Sequence, residues 1–178
     1  MTLRAAGGAR LPPLVEWDED VGNVLSRTRL EDGVPLAIFR TLARHPALLR
    51  RYNAMGGCFQ VESELDPGVR ELVILRVAAK LGSAYELARH VPAAGRVGLS
   101  DAAIAVATTL RGGSALSEEQ ALVLRMTDQL LASEDVDDLL WEELAATFGG
   151  AALIELVMLV GFYRMTALFL RTLRVPLD

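Results

Sequence analysis

The stretch 66–90 constrains the fold most, because it marks two consecutive helices and the break between them. Asp66 followed by Pro67 is typical of a helix start, where the aspartate caps free N–H groups and proline fits the first turn. Gly82 then ends this helix and Ser83 begins the next one. We therefore expect two helices joined by a very short turn.

Three polar side chains share one face of the second helix. At about 100° per residue, Ser83, Glu86 and His90 fall within roughly 60° of one another. That face presents a hydroxyl, a carboxylate and an imidazole, which together can transfer protons. Each residue also has an ordinary interpretation: Ser83 as a helix cap, Glu86 as a surface partner of His90, and His90 as a core histidine bound to a carbonyl.

Similar start and stop signals along the chain predict an all-α fold. Ser117 to Gln120 reads as an S-x-x-Q capping box, and glycine pairs or X-Pro steps separate the apolar periodic segments. No segment shows strand alternation with hairpin chemistry. We expect seven or eight helices, at about 35–44, 46–57, 67–81, 83–95, from 100 onward, 117–133, 135–148 and 151–174.

Length and composition predict one domain with a substantial core. The chain has 178 residues, of which 52% are apolar. We assign residues 12–178 to this domain and the Gly/Ala/Arg-rich residues 1–11 to a mobile arm. The apolar run 151–170 is long enough to span a membrane, but it contains Glu155 and Arg164. A core or interface helix is the better interpretation, and no membrane role is expected.

Charge and cysteine content exclude several classes of function. The net charge is −5 and no Lys/Arg cluster occurs, so we expect no nucleic-acid partner. Cys58 is the only cysteine, so it forms no internal disulfide. No glycine-rich phosphate loop follows a strand, so no nucleotide cofactor is expected. The N-terminal residues lack an apolar signal core, which predicts a cytoplasmic protein.

The central residues resemble a known family. The patterns are R-E-L-V-I-L-R-V-A from Arg70, G-S-x-Y-E-x-x-x-H from Gly82 and A-x-x-x-G-L-S from Ala94. Together with the upstream His45-Pro46 step, they resemble the carboxymuconolactone decarboxylase family, which has the alkyl hydroperoxidase D-like fold. The resemblance spans about 23–172. It implies a helical bundle that forms a homotrimer or a homohexamer built from trimers.

The resemblance also implies roles for the polar residues. The peroxidase branch of this family uses a relay of Glu, Cys, Cys and His, which falls here on Glu71, Ser83, Glu86 and His90. Neither cysteine is present, so dithiol peroxidase chemistry is not expected. The decarboxylase branch resembles this chain better, because it uses a non-thiol residue set with the same glutamate and histidine positions.

The resemblance, together with these residues, implies a cofactor-free enzyme that acts by general acid/base chemistry on a small unsaturated lactone or carboxylate. His90, Glu86 and Glu71 are the candidate catalytic residues, and Ser83 and Arg76 the candidate substrate-binding residues. Glu71 could instead only complement the helix dipole, and Arg76 could form a surface ion pair. No spacing such as H-E-x-x-H is present, so no metal is expected. The alternative function is a non-catalytic helical assembly or binding module, in which His90 is structural.

Overall fold

The computed structural model describes residues 8–109 and 115–178, and within these ranges the fold is all-α, as predicted. Nine helices and one short β hairpin make up the regular structure: α1 (Glu19–Leu25), β1 (Leu30–Glu31), β2 (Val34–Pro35), α2 (Ala37–Leu42), α3 (Pro46–Val61), α4 (Pro67–Leu81), α5 (Ala84–Arg96), α6 (Asp101–Thr109), α7 (Glu118–Ser133), α8 (Asp138–Thr147) and α9 (Gly150–Leu173).

Two N-terminal elements were not predicted from the sequence. Helix α1 begins after Asp18, whose carboxylate accepts the N–H of Val21 at 2.9 Å. Strands β1 and β2 pair in antiparallel fashion around Asp32 and Gly33, which have φ of 50° and 80°. Asp-Gly favours the tight hairpin turn that needs two positive φ values. The expectation of no hairpin is therefore wrong at this point, because strands of two residues are too short to show alternation.

Helix α3 continues where the sequence predicted an end. Gly56 and Gly57 lie inside the helix, which extends to Val61 and buries Phe59 near its C-terminal end. A glycine inside a helix costs only about 1 kcal/mol relative to alanine. Burial of the following aromatic side chain outweighs that cost, so the glycine pair does not stop the helix.

The chain divides into two compact units, the first containing the chain up to Gln60 together with Leu168–Asp178. Within it, the N–H of Arg10 donates to the carbonyl of Leu173 at 2.8 Å. The mobile arm was predicted for residues 1–11, of which residues 1–7 lie outside the described part of the chain. The assignment of residues 12–178 to one domain stays a prediction.

The second unit, Val61–Ala167, is built around α4. Every residue of α4 from Gly68 to Ala78 is buried, and α4 packs against α5, α6 and α7. Leu72 and Leu75 belong to its apolar cluster, together with Ala94, Leu99, Ile104, Ala107 and Leu124. Three charged residues are nevertheless buried on the same helix, namely Arg70, Glu71 and Arg76. Buried charges are costly without partners, so these residues point to a specific arrangement around α4.

Helix α9 is, among the described residues, the one helix long and apolar enough to cross a membrane, with half of the relevant window buried. Core helices of soluble proteins pass the same test, so the absence of a membrane role stays a prediction. Glu155, inside this helix, accepts hydrogen bonds from the hydroxyl of Ser63 and, at 2.7 Å, from the N–H of Glu64. The carboxylate thus holds the segment that precedes α4.

Candidate functional site

The turn between α4 and α5 is made by backbone hydrogen bonds. Gly82 adopts the left-handed conformation with φ of 63°, which only glycine adopts without strain. The N–H of Ser83 then donates to the carbonyl of Ala78 at 2.8 Å. This is the usual closure of a helix that ends on glycine. As a result α5 returns along α4, and residues of the two helices that are far apart in the sequence can face each other.

Glu71 and His90 meet across these two helices. The Nδ1 atom of His90 lies 2.8 Å from Oε2 of Glu71. The side chain of Glu71 is 4% exposed and that of His90 is 16% exposed. A carboxylate at this distance favours the tautomer with a proton on Nδ1, which leaves Nε2 able to accept a proton. The partner of His90 in this bond is a carboxylate rather than the backbone carbonyl of the structural interpretation.

Tyr163 of α9 completes the immediate surroundings of His90. The two rings pack edge to face, with centroids 5.2 Å apart and planes at 87°. Tyr163 is buried, so it holds the imidazole plane from one side. From the sequence, Tyr163 could reach a pocket or a neighbouring subunit, but its position on a distant helix gives no local pattern that predicts it as a site residue.

Glu86 is buried one helical turn before His90. Residues at this spacing have Cβ atoms about 5–6 Å apart. Only 2% of Glu86 is exposed, and burial raises the pKa of its carboxyl group to about 7. A hydrogen-bonding interaction with the Ser83 hydroxyl lowers that pKa, a smaller effect than burial. The interpretation of Glu86 as an ordinary surface residue is therefore wrong, because the side chain is buried.

Ser83 and Glu86 are buried, and neither side chain has a hydrogen-bond partner of ordinary geometry outside this pair. Among the described residues, neither carboxyl oxygen of Glu86 nor the hydroxyl of Ser83 has such a partner. Ser83 occupies the N-cap position of α5, yet its side chain caps nothing. The capping role considered for Ser83 is therefore not observed. Buried polar groups are nearly always paired, with protein groups or with ordered water. Ser83 and Glu86 therefore keep hydrogen-bonding capacity that a ligand or water can use.

A second serine in the same sequence context shows what ordinary capping looks like. Ser117 begins α7, accepts the N–H of Gln120 at 3.2 Å, and its own N–H donates to the Gln120 side chain at 3.1 Å. Ser83 and Glu86 have the equivalent S-x-x-E spacing at the start of α5. The first pair caps its helix and the second does not. The difference sets Ser83 and Glu86 apart as side chains that do not stabilise their own helix.

Arg76 lies in a different environment from the residues above. Its Nε is 3.2 Å from Oδ1 of Asp128, and Nη1 donates to the carbonyls of Val106 and Ala107 at 3.3 and 3.4 Å. The guanidinium therefore bridges α4, α6 and α7. These contacts give Arg76 a structural role, and the substrate-binding role assigned to it stays a prediction.

The site has no clustered metal ligands: within 8–109 and 115–178, no group of three or more His, Cys, Asp or Glu side chains could hold an ion. The candidate catalytic residues form a hydrogen-bonded pair with a separate carboxyl nearby.

A cavity of about 900 Å³ lies elsewhere, in the first unit. His45 lines it, and Nδ1 of His45 accepts the N–H of Leu48 at the start of α3. The other lining residues include Arg27, Arg50 and Asn53, and the side-chain amide of Asn53 donates to the carbonyl of Arg27. No residue of the proton-transfer group lines this cavity.

Comparison with known proteins agrees with the pattern of residues. The model of the carboxymuconolactone decarboxylase family matches residues 46–128. The uncharacterized protein YnjA of Escherichia coli strain K12 is 34% identical over 157 residues, which cover 87% of this chain and 80% of YnjA.

Solved structures share the fold at low sequence identity. A peroxidase-related protein from Silicibacter sp. TM1040 superposes with a TM-score of 0.82 at 18% identity, over 100% of this chain and 95% of that one. A debrominase superposes with a TM-score of 0.77 at 13% identity, over 94% of this chain and 91% of its own. The arrangement of helices is therefore one that other proteins use, including an enzyme.

Proposed function

We propose, from the premise that this chain belongs to the carboxymuconolactone decarboxylase family, that it is an enzyme moving protons on a small unsaturated lactone or related carboxylate. The observation that carries the proposal is the 2.8 Å contact of His90 with the buried Glu71. The reaction is decarboxylation or a proton shift, with no cofactor. The debrominase of the same fold supports an enzymatic role, without bearing on the reaction.

His90 is the proposed base that takes a proton from carbon and later returns it. Glu71 orients the ring and stabilises the imidazolium that forms when Nε2 accepts a proton. A buried carboxylate serves this purpose well, because its charge is poorly screened by water. The low exposure of both side chains also keeps bulk water from competing for the proton.

Glu86 is the proposed second group of the site. With a pKa raised to about 7, its carboxyl is present in both protonation states near neutral pH. An acid held near the working pH is the condition under which positioned acid/base groups act most effectively, contributing typically 10²–10⁴-fold. The decarboxylation of a carboxymuconolactone-like substrate needs such an acid, because the enolate that remains after CO₂ leaves must be stabilised and protonated.

The residues at the two cysteine positions of the peroxidase branch favour this chemistry over thiol chemistry. Ser83 and Glu86 cannot form a sulfenic acid or a disulfide. Cys58 is exposed and lies on α3, outside the group formed by α4 and α5. A thiol peroxidase is therefore disfavoured.

The test is hydrogen exchange in deuterated water, followed by NMR. Candidate lactone acids and unsaturated carboxylates are incubated with the protein, and deuterium entry at carbon next to the conjugated carbonyl is measured together with CO₂ release. We expect exchange with at least one compound and its loss in His90→Ala. A folded protein that exchanges none of them, or exchanges equally well without His90, would favour the non-catalytic assembly instead.

Self-association is the proposed partner interaction. Ile154, Val157, Met158 and Met165 form an exposed apolar stripe along α9, and monomeric proteins rarely leave such contiguous stripes exposed. A homotrimer or homohexamer, as the family resemblance implies, would cover it. Light scattering at micromolar concentration tests this, and a clean monomer mass would count against it.

A further inference from the structure

The strongest unexplained feature of the molecule is the buried hydroxyl–carboxyl pair at the start of α5, which has no hydrogen-bond partner elsewhere in the described residues. Ser83 is 1% exposed and Glu86 is 2% exposed, so neither group reaches bulk solvent. Leaving a buried donor or acceptor unpaired costs about 1–3 kcal/mol per group. Ser83 and Glu86 have the spacing of a capping box but do not cap α5. We therefore expect the two side chains to bind a ligand.

The hydrogen-bonding capacity of the two groups defines the ligand atom that they fit. A protonated Glu86 offers one O–H donor and Ser83 offers another. Two O–H donors at the start of one helix can both bind a single oxygen with two lone pairs. An oxygen that gains negative charge matches better still, because hydrogen bonds to charged groups are roughly twice as strong.

We infer that Ser83 and Glu86 form an oxyanion site, in which both side chains donate hydrogen bonds to the carbonyl oxygen of the substrate as it becomes an enolate. The inference rests on the proposed function and assigns different tasks within it. His90 exchanges the proton at carbon, while Glu86 keeps its own proton and stabilises charge at oxygen. Ser83 and Glu86 then touch the reacting atoms directly.

The electrons and protons of the step balance without a further reagent. In a proton shift, the C–H bond breaks, its proton moves to Nε2 of His90, and its electron pair moves through the conjugated system onto the carbonyl oxygen. The enolate oxygen is held by the two O–H groups. The electron pair then returns from the enolate oxygen through the conjugated system to a carbon atom, and this carbon takes the proton from Nε2 of His90. In decarboxylation the C–CO₂ bond supplies the electron pair, and His90 delivers a proton taken from solvent.

Burial of Glu86 suits this task. The raised pKa keeps a large part of the carboxyl protonated at neutral pH and nearly all of it somewhat below. A neutral carboxyl near a forming anion stabilises it, whereas a carboxylate would repel it. The site therefore selects carbonyl compounds that form a delocalised enolate, such as lactones and ketones, over substrates that merely carry a charged carboxylate at this position.

The test is the binding of stable oxyanions that resemble an enolate in charge distribution. The probes are 2,4-dinitrophenolate and the smaller pentafluorophenolate, with binding followed by absorbance or calorimetry at about pH 6. We expect Ser83→Ala to weaken binding by about tenfold, the size of one hydrogen bond, and Glu86→Leu by more. Glu86→Gln should retain part of the affinity, because its amide still donates.

Ser117→Ala is the matched control. It removes a serine that caps its helix, so it should lower the melting temperature and leave phenolate binding unchanged. Ser83→Ala should leave the melting temperature unchanged and weaken phenolate binding, because the Ser83 hydroxyl caps nothing. The oxyanion site is overturned if neither probe binds the parent protein. It is also overturned if Ser83→Ala and Glu86→Leu fold and bind the probes as tightly as the parent does.

The binding test separates this inference from the proposed function. His90→Ala should keep phenolate affinity while losing deuterium exchange. Phenolate binding that depends on Ser83 and Glu86, without exchange of any substrate, would leave the oxyanion site standing and reject the enzyme. Exchange that needs His90, without phenolate binding, would reject the oxyanion site alone.

Discussion

His90 contacts Glu71 at 2.8 Å although the two residues are nineteen positions apart in the sequence and the chain reverses between them. The contact exists because Gly82 turns α5 back along α4, so that the first half of α4 faces the middle of α5. An imidazole in such a pair has a fixed tautomer and a defined free nitrogen. In the proposed reaction this pair supplies the base.

Removing either member of the pair should impair catalysis without unfolding the protein. We expect His90→Ala to lower kcat by on the order of 10²-fold or more, since the proton acceptor is gone. Glu71→Gln should lower kcat less, because the ring stays in place and loses only the stabilising charge. Exchange rates measured across pH check this, and a Glu71→Gln variant with unchanged rate and pH profile would show that the pair is structural.

Glu86 should make stability fall as pH rises through the range between its two titrations. Its carboxyl ordinarily titrates at 4.5, but burial moves the folded-state pKa to about 7. Between these values the folded chain holds the proton more tightly than the unfolded chain. The contribution of Glu86 to the free energy of unfolding therefore falls from about pH 4.5 to about pH 7 and then levels, by at most about 3 kcal/mol.

Urea unfolding of the parent and Glu86→Gln at several pH values isolates this effect, because glutamine does not titrate. The difference in unfolding free energy between the two proteins should change with pH in the stated range. A difference that stays constant from pH 4.5 to pH 7 would mean that the carboxyl is not buried in the folded protein.

Replacing Arg76 should distinguish its structural contacts from its predicted substrate role. Arg76→Met removes the ion pair with Asp128 and the bonds to two carbonyls of α6. Because Asp128 is partly exposed and keeps Lys80 at 3.3 Å, we expect a loss of about 2 kcal/mol of stability. KM should stay the same if the role is structural, whereas a raised KM with unchanged stability would establish substrate binding.

Glu155 should matter for stability although it lies in a predominantly apolar helix. Its carboxylate binds the hydroxyl of Ser63 and the N–H of Glu64, so Glu155→Ala should cost about 1–3 kcal/mol. Glu142→Ala, on the exposed surface of α8, is the control and should change stability little. Denaturant midpoints measure both, and equal midpoints would remove this role of Glu155.

Thiol-dependent peroxidase activity should be absent. The two positions that carry cysteines in the peroxidase branch are Ser83 and Glu86, and Cys58 is a lone exposed thiol on another helix. An assay with an organic hydroperoxide and a dithiol reductant should show no turnover above the uncatalysed rate. Turnover that Cys58→Ser abolishes would contradict the proposed chemistry.

Local patterns predicted the parts of the site that lie on one helix. The periodicity of α5 placed Ser83, Glu86 and His90 on one face, because their spacing follows directly from helix geometry. The S-x-x-Q box of α7 was likewise predicted and forms as expected. Start and stop residues are local signals, so the helices of the second unit were largely predicted as well.

Features that depend on packing could not be read in this way. The contact of Glu71 with His90 needs two helices to cross closely, and Tyr163 comes from a helix far along the chain. Nothing in S-x-x-E distinguishes a side chain that caps its helix from one that is buried beside it. The burial of Glu86, which sets its proton affinity, is a property of the assembled fold.

The turn at Gly82 separates what holds the protein together from what it does. Backbone groups alone close this turn, through the N–H of Ser83 and the carbonyl of Ala78. The side chains at positions 83 and 86 take no part in this closure. Side chains of other chemistry at these two positions would therefore leave the hydrogen bond that reverses the chain in place.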